Sequence, residues 1–259
     1  MDDSSFKQAI QAQFAPSAAA YVTSSVHANK PDLQRMIQLA NLQGDERVLD
    51  IATGGGHVAL AFAPHVREVV ATDLTPAMLE AAERFIRGQG VANVRFEIAD
   101  AEALPYPDAS FDVVTCRVAP HHFPNVARFV REVARVLRSG GVFVLDDTIA
   151  PADPALDQFI NQIEQLRDPT HVRDYTVDEW RAFCDAAGLT IRDSDTFPKT
   201  IPFHDWCERM RVSSETVSEL QLRLQNASAA AQATFAIALD GERVVQFDLH
   251  SVLLAARKL

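Results

Sequence analysis

The residues best suited to chemistry lie in one segment, Val48 to Gly56, which reads Val-Leu-Asp-Ile-Ala-Thr-Gly-Gly-Gly. A short apolar run that ends in an acid and leads into consecutive glycines is typical of a strand feeding a tight turn around a ligand. Glycine lets the backbone approach a ligand closely, and the helix predicted near residues 58–64 offers unpaired N–H groups at its start. With the carboxylate of Asp50 at the strand end, the segment indicates a site for a nucleotide-like ligand.

A second acid follows a second apolar run, Glu68 to Asp73, at the distance expected for the next strand of a βαβ unit. A carboxylate at that position suits the two hydroxyls of a ribose. An isolated aspartate is more often a helix cap or a solvated strand end, but the joint spacing of Asp50 and Asp73 favours a ligand site. Ligands of parallel sheets bind outside the carboxyl ends of the strands, so we expect both acids to face one crevice.

Alternating strand and helix patterns must position these acids. Strands are predicted at 47–51, 68–73, 94–98, 111–117 and 142–146, with helices near 58–63, 76–89 and 126–137 between them. This alternation predicts a parallel sheet. Helices are predicted before it at 4–14 and 30–40, and after it at 154–166, 177–187 and 203–224, with later strands at 189–196 and 244–256. The predicted organisation is an N-terminal helical cap segment over 1–45, a ligand-binding core over 46–150, and a C-terminal part over 151–259 that completes the sheet and carries inserted cap helices.

Composition narrows the functional class. The chain has 259 residues, 47% of them hydrophobic, and a formal net charge of −11 without a dense basic run, which disfavours nucleic acid and anionic membrane partners. Its start lacks the pattern of a signal peptide, and no apolar run approaches the roughly 20 residues that span a bilayer. We therefore expect a cytoplasmic protein. The widely spaced Cys116, Cys184 and Cys207 predict inert thiols rather than a disulfide framework or a zinc site.

Four features occur in a specific order: Asp50 to Gly56, Asp73, the run Asp100-Ala-Glu-Ala-Leu-Pro-Tyr-Pro, and the fourth strand Phe111-Asp-Val-Val-Thr-Cys-Arg. In these the chain resembles the class I S-adenosylmethionine-dependent methyltransferases, in particular the small-molecule, methyltransferase type 11-like branch related to ubiquinone and menaquinone biosynthesis methyltransferases. The resemblance is strong over 46–150 and looser in the flanks. It implies a Rossmann-like α/β fold with a mostly parallel seven-stranded sheet, an antiparallel last strand, flanking helices and a helical cap.

The resemblance also implies roles for individual residues. The turn would cradle the methionine part of S-adenosylmethionine, Asp73 would accept hydrogen bonds from both ribose hydroxyls, and Asp100 with Ala101 would hold the adenine. The implied cofactor residues are Asp50, Ala52, Thr53, Gly54, Gly56, Asp73, Leu74, Met78, Asp100, Ala101, Glu102, Arg117, Tyr21 and His27. Ala52 departs from the glycine usual in this family. Arg117 either reaches the cofactor or pairs with Asp100 or Asp146, and Tyr21 and His27 either close over the cofactor or lie on an exposed helix face.

Methyl transfer is an in-line displacement, so the protein must mainly align the acceptor and exclude water. An acceptor that loses a proton also needs a base, and His121 or His122 after the fourth strand is the candidate. In the alternative, one histidine caps the next helix and the other packs under the cofactor. A further alternative is a metal site formed by the histidines with Asp146 and Asp147, although we expect no metal.

The acceptor is expected to lie beneath the helical cap, near Arg173, Trp180, Trp206, Met210 and Arg211, although tryptophan and methionine more often serve a core. The predicted function is methyl transfer to a small, fairly apolar organic acceptor. Oxygen, carbon and nitrogen acceptors all stay open, with oxygen and carbon favoured because no Asn-Pro-Pro-Tyr-type loop, typical of amine or base methylation, follows the fourth strand. A homodimer stays open. The alternatives are a non-catalytic cofactor-binding module and a nicotinamide-dependent oxidoreductase. The oxidoreductase is disfavoured because no tyrosine precedes a lysine by four residues.

Overall fold

A computed structural model describes residues 3–23 and 30–259. The chain divides into two compact units. Unit 1 comprises Met1–Asp147, Arg181–Ser194 and Leu253–Leu259, and unit 2 comprises Thr148–Trp180 and Asp195–Val252. The chain after Asp147 therefore contributes residues to both units in turn.

The strands form a mixed sheet. In chain order they are β1 (Arg47–Ile51), β2 (Glu68–Asp73), β3 (Val94–Ile98), β4 (Phe111–Arg117), β5 (Leu137–Ile149), β6 (Leu189–Pro202), β7 (Ala238–Asp240) and β8 (Arg243–Lys258). Among the described residues the sheet order is β3-β2-β1-β4-β5-β8-β6, with β7 paired to β8. Strands β1 to β5 pair in parallel and the last strands run antiparallel. The predicted fold class is confirmed.

The helices of the described chain are α1 (Asp3–Phe14), α2 (Ala18–Thr23), α3 (Lys30–Ala40), α4 (His57–Phe62), α5 (Pro76–Gly88), α6 (Val126–Val136), α7 (Pro154–Arg167), α8 (Val177–Ala186), α9 (Phe203–Arg209), α10 (Ser214–Gln225) and α11 (Ala229–Thr234). The apolar face of α6 illustrates why they pack: Phe129, Val130 and Val133 recur at helical spacing and are fully buried. The sheet strands beneath are buried on both faces, as expected for a parallel sheet covered by helices.

Several element boundaries differ from the sequence prediction. The single helix predicted over 203–224 is two helices, because Arg211 adopts a left-handed φ of 53° and the hydroxyl of Ser213 caps α10 by accepting from the N–H of Thr216. Strand β5 begins at Leu137, so the glycines at 140 and 141 lie within an irregular stretch of the strand rather than beyond a helix end.

The prediction also missed β7, which is only three residues long. It pairs antiparallel with β8 across a turn at Gly241, whose φ is 60°. The Asp240-Gly241 pair is a hairpin signal that the sequence did contain. Strands β6 and β8 also extend beyond their predicted ends.

Unit 2 has its own apolar core. Trp206 packs edge-on against Phe247 with ring centroids 5.0 Å apart, and Leu220, Leu224 and Phe235 complete the cluster. None of the helices in the described ranges is both long enough and apolar enough to cross a membrane.

Candidate functional site

A cavity in unit 1 opens at the carboxyl ends of β1 to β4. Residues from the ends of these strands and the loops after them line the cavity, together with residues of helices α1 and α2. The lining consists of Lys7, Ile10, Phe14, Tyr21, Ile51, Ala52, Gly54, Asp73, Leu74, Thr75, Met78, Ala99, Asp100, Ala101, Glu102, Val118, Ala119, His122, Phe123 and Pro124. The edge of the sheet where ligands of parallel folds bind is therefore where this cavity lies.

Asp73 presents a carboxylate on the cavity wall at the end of β2. Its Oδ2 accepts from the N–H of Gly54 at 3.0 Å, and its Oδ1 accepts from the N–H of Thr75 at 2.8 Å. Burial raises the pKa of this carboxyl, while the backbone donors oppose that shift. The side chain thus ties the loop after β1 to the loop after β2, and it still faces the cavity.

Asp50 lies behind the wall rather than on it. Its two carboxylate oxygens accept from the hydroxyls of Thr53 at 2.6 Å and Thr115 at 2.8 Å, and the side chain is fully buried. Burial raises the pKa of Asp50 to about 6. Thr53 is held further by its N–H, which donates to the carbonyl of Thr72. Both residues therefore shape the turn from inside, and the structure brings Ala52 and Gly54 to the cavity instead.

The turn itself depends on unusual backbone angles. Ala52, Gly54 and Gly56 have φ values of 54°, 53° and 83°, in the region that favours glycine. Ala52 tolerates its angle although it carries a β-carbon, at a modest energetic cost. Gly56 is not among the residues that line the cavity. It packs against α5, where an added β-carbon would lie 2.9 Å from Cδ1 of Ile86. At Gly55 an added β-carbon would lie 2.8 Å from the carbonyl oxygen of Tyr21.

The acids after β3 are joined by a cation that sequence reasoning missed. The ammonium of Lys7 lies 2.8 Å from both Asp100 Oδ2 and Glu102 Oε2. Burial opposes the charge of Lys7, but the hydrogen bonds to the two carboxylates outweigh it and raise the pKa of Lys7. The second oxygen of Glu102 accepts from the N–H of Asn125 at 2.6 Å, so this acid also anchors the start of α6.

Further contacts hold α1 and α2 against the cavity. The Gln11 amide donates to the carbonyl of Leu74 at 2.7 Å, and Nε2 of His57 lies 3.0 Å from the carbonyl of Tyr21. Met78 packs with the apolar residues of these helices, including Phe14. The only sequence signal for Lys7 and Gln11 was their position on a helix with an apolar face, which does not identify the acids they meet.

The two histidines after β4 have different surroundings. His122 lines the cavity, and its ring packs edge-on against Phe14 with centroids 5.0 Å apart. His121 is buried, with Nδ1 2.7 Å from Oδ1 of Asp147. The two imidazole rings lie 4.3 Å apart. The site thus combines a histidine on the wall with a second one oriented by a buried carboxylate.

Arg117 forms the predicted ion pair with Asp146. Its Nε donates to Asp146 at 2.8 Å, and its side chain also lies 3.4 Å from Asp32 of α3. It is not among the residues that line the cavity. Across the described ranges, the His, Cys, Asp and Glu side chains close enough to share a metal ion are His204, Asp205 and Glu208, which are exposed on α9.

The residues predicted near the acceptor belong to unit 2. Trp206 is in the core of that unit, where Arg167 lies over its ring, and Trp180 is fully buried beside Tyr175. These two tryptophans are therefore core residues. Arg173 pairs with Asp157 at 2.7 Å. Met210 and Arg211 form the break between α9 and α10. His27, predicted to close over the cofactor, lies outside the described residues.

Comparison with known proteins agrees with this geometry. Residues 49–145 match the family described as "Methyltransferase domain". The chain is 42% identical over 246 residues to the uncharacterized methyltransferase YcgJ of Bacillus subtilis, covering 95% of this chain and 97% of that protein. It is 45% identical over 109 residues to the demethylmenaquinone methyltransferase of Deinococcus radiodurans, covering 41% and 44% of the two chains.

A crystal structure of a putative methyltransferase from Bacillus halodurans superposes with a TM-score of 0.86 at 44% identity, covering 88% of this chain and 99% of that chain. Similarity at this level extends well beyond the matched domain and includes both flanks. The chain belongs to the class I methyltransferase family.

Proposed function

We propose that this protein transfers the methyl group of S-adenosylmethionine to a small, fairly apolar organic acceptor, at oxygen or carbon, and releases S-adenosylhomocysteine. The observation that carries this proposal is the carboxylate of Asp73, which faces the cavity at the end of β2 and is oriented by the N–H groups of Gly54 and Thr75. A fixed carboxylate at this edge of a parallel sheet suits a ribose diol.

The polar and apolar groups on the cavity wall suit an adenosyl group. A carboxylate offers about four lone-pair positions, and two of those of Asp73 are used by backbone donors, which leaves acceptors for two ribose hydroxyls. Leu74 and Met78 supply apolar wall for the adenosine, and Asp100 with Ala101 supplies polar contacts for the adenine. The methionine part would lie along Ala52 and Gly54. Asp50 and Thr53 act as positioning residues, because they hold this turn from behind.

S-adenosylmethionine supplies an electrophilic methyl group when it is bound. The chain then has to bind the acceptor in line, exclude water and accept a proton from a hydroxyl or an acidic carbon. His122 is the imidazole on the cavity wall, and it would accept that proton. His121 would support it, since it is held by Asp147 and its ring touches His122.

An apolar acceptor is supported by the remaining wall. Ile10, Phe14, Val118, Phe123 and Pro124 present carbon rather than charge. The relative from Deinococcus radiodurans is named as a demethylmenaquinone methyltransferase, and a quinone of that kind is an apolar organic acceptor. The net charge of −11 disfavours a nucleic acid acceptor.

Calorimetry with S-adenosylhomocysteine tests the proposal. We expect the wild-type chain to bind, and Asp73→Asn to bind about 100-fold more weakly, because an amide cannot accept from both hydroxyls and also receive both backbone donors. Asp108→Asn is the matched control, since that carboxylate is 78% exposed and lies away from the cavity lining. It should bind like the wild type. Absence of binding by the wild-type chain would refute the proposal.

A non-catalytic module is the alternative function, and turnover separates it from an enzyme. Wild-type protein is incubated with S-adenosylmethionine and a panel of phenols, hydroquinones and enols, and S-adenosylhomocysteine formation is followed. Formation that depends on the acceptor supports transfer. Tight cofactor binding without turnover on any acceptor would favour the module.

A further inference from the structure

Helix α1 lies along the cavity with one face toward it. Lys7, Ile10 and Phe14 all line the cavity, and their spacing of three and then four residues places them on one side of a helix. Lys7 and Phe14 are two turns apart, about 10 Å along the axis. The helix therefore reaches from the acids after β3 at one end to the histidine loop after β4 at the other.

At the first end, Lys7 is the charge partner of both acids. Asp100 Oδ1 accepts from the N–H of Glu102, and Asp100 Oδ2 accepts from Lys7. Glu102 is almost fully buried, with 1% of its side chain exposed. Removing the ammonium of Lys7 would therefore leave a buried carboxylate without this ion pair, which is energetically costly. The ammonium of Lys7 thus links the position of α1 to the two carboxylates at this end of the cavity.

At the second end, Phe14 packs on His122. The middle of the helix is held by Gln11, which donates to the carbonyl of Leu74, a residue next to Asp73. Glu102 adds a second connection, because its Oε1 accepts from Asn125 at the start of α6, just after the histidine loop. A shift of α1 would therefore alter its contacts with the two acids, with the loop after β2 and with His122 at the same time.

We propose that Lys7 is a positioning residue of the cofactor site: it fastens α1 over the cavity, so that docking of α1 and binding of an adenosyl ligand stabilise each other. The inference rests on the proposed function, since the ligand is the adenosyl cofactor. Because such coupling is reciprocal, the ligand must protect α1 by the same factor by which a docked α1 strengthens ligand binding.

The test uses the full chain and three variants of α1. Lys7→Met removes the ammonium, Gln11→Met removes the hydrogen bond to Leu74 without leaving a buried charge, and Gln8→Met is the control on an exposed position of the same helix. These residue types have similar helix propensities. Two quantities are measured: the Kd for S-adenosylhomocysteine by calorimetry, and amide hydrogen exchange of peptides from α1 with and without that ligand.

We expect the ligand to slow exchange in α1 of the wild type and of Gln8→Met. Lys7→Met should bind S-adenosylhomocysteine about tenfold more weakly, and Gln11→Met about threefold more weakly. Both should exchange faster in α1 without ligand. If Lys7→Met does not fold, Gln11→Met decides by the same two measurements.

Binding by Lys7→Met and Gln11→Met within twofold of Gln8→Met would overturn the inference, as would a ligand that leaves α1 exchange unchanged in the wild type. Either result, with normal wild-type binding, leaves the proposed function standing. Failure of the wild type to bind would instead refute the proposed function, and exchange in ligand-free Lys7→Met would then test the fastening of α1 by itself.

Discussion

Nδ1 of His121 lies 2.7 Å from Oδ1 of Asp147, while the backbone N–H of the same histidine donates to Oδ2 of that carboxylate at 3.1 Å. Since a carboxylate accepts, Nδ1 is the ring nitrogen that donates in this pair. The buried carboxylate therefore orients a histidine that contacts His122, the imidazole on the cavity wall.

Replacing the wall histidine is expected to slow methyl transfer without weakening cofactor binding. For an acceptor that supports turnover, His122→Ala should lower kcat by about 100-fold or more, the usual contribution of a general base. The Kd for S-adenosylhomocysteine should change by less than about threefold, because Asp73 and Asp100 remain. Steady-state kinetics and calorimetry on the same preparation check both values.

His121→Ala and Asp147→Asn complete this series. Each should lower kcat less than His122→Ala does, because they act on the wall histidine through its neighbour. Asp147→Asn should also change the pH profile of kcat, which a merely structural effect would not do. Unchanged turnover in both histidine variants would remove the histidines from the mechanism.

Asp50→Asn is expected to change the pH dependence of stability. Burial raises the pKa of Asp50 to about 6, above its usual value, so between pH 4 and 6 the folded chain binds more protons than the unfolded chain. Wild-type stability is therefore lost, relative to the neutral amide, as the pH rises through that window. The difference should grow by about 2–3 kcal/mol from pH 4 to pH 8 in favour of Asp50→Asn.

Denaturant unfolding of wild type and Asp50→Asn at several pH values measures this difference. The hydroxyls of Thr53 and Thr115 can turn to accept from an amide, so the hydrogen bonds are largely kept. A variant that is less stable by the same amount at every pH would show instead that the carboxylate geometry, not its charge, dominates at this position.

Gly55→Ala is expected to destabilise the contact between the turn and α2. The new β-carbon would lie 2.8 Å from the carbonyl oxygen of Tyr21, which is backbone and can only shift together with the helix. We expect a loss of about 1–3 kcal/mol in the free energy of unfolding, as for other overpacked sites.

Gly88→Ala is the control for this variant, since an added β-carbon there meets nothing within 4 Å. Near the end of α5 it should leave stability unchanged or raise it by up to about 1 kcal/mol. Equal stability of the two alanine variants would show that α2 yields to the new methyl group without cost.

The residue pattern of the chain predicts the fold class and many of the residues that line the cavity. Continuous apolar runs that alternate with amphipathic helices predict a parallel core with its ligand edge at the strand ends, and Asp73, Leu74 and Asp100 line one cavity there. The limit of this reasoning is visible at Asp50, where the pattern indicates a strand-end acid but not whether its oxygens face a ligand or two threonines.

Which groups meet across the chain depends on the packing of its elements. Lys7 and Glu102 are 95 positions apart and His121 and Asp147 are 26 apart, and nothing in local periodicity relates the members of either pair. Patterns along a chain record which face of an element is buried, whereas the pairing of two charges depends on how separate elements pack. That is why residue patterns point to many side chains of the cavity wall, whereas the contacts of Lys7 and the orientation of His121 depend on how distant elements pack.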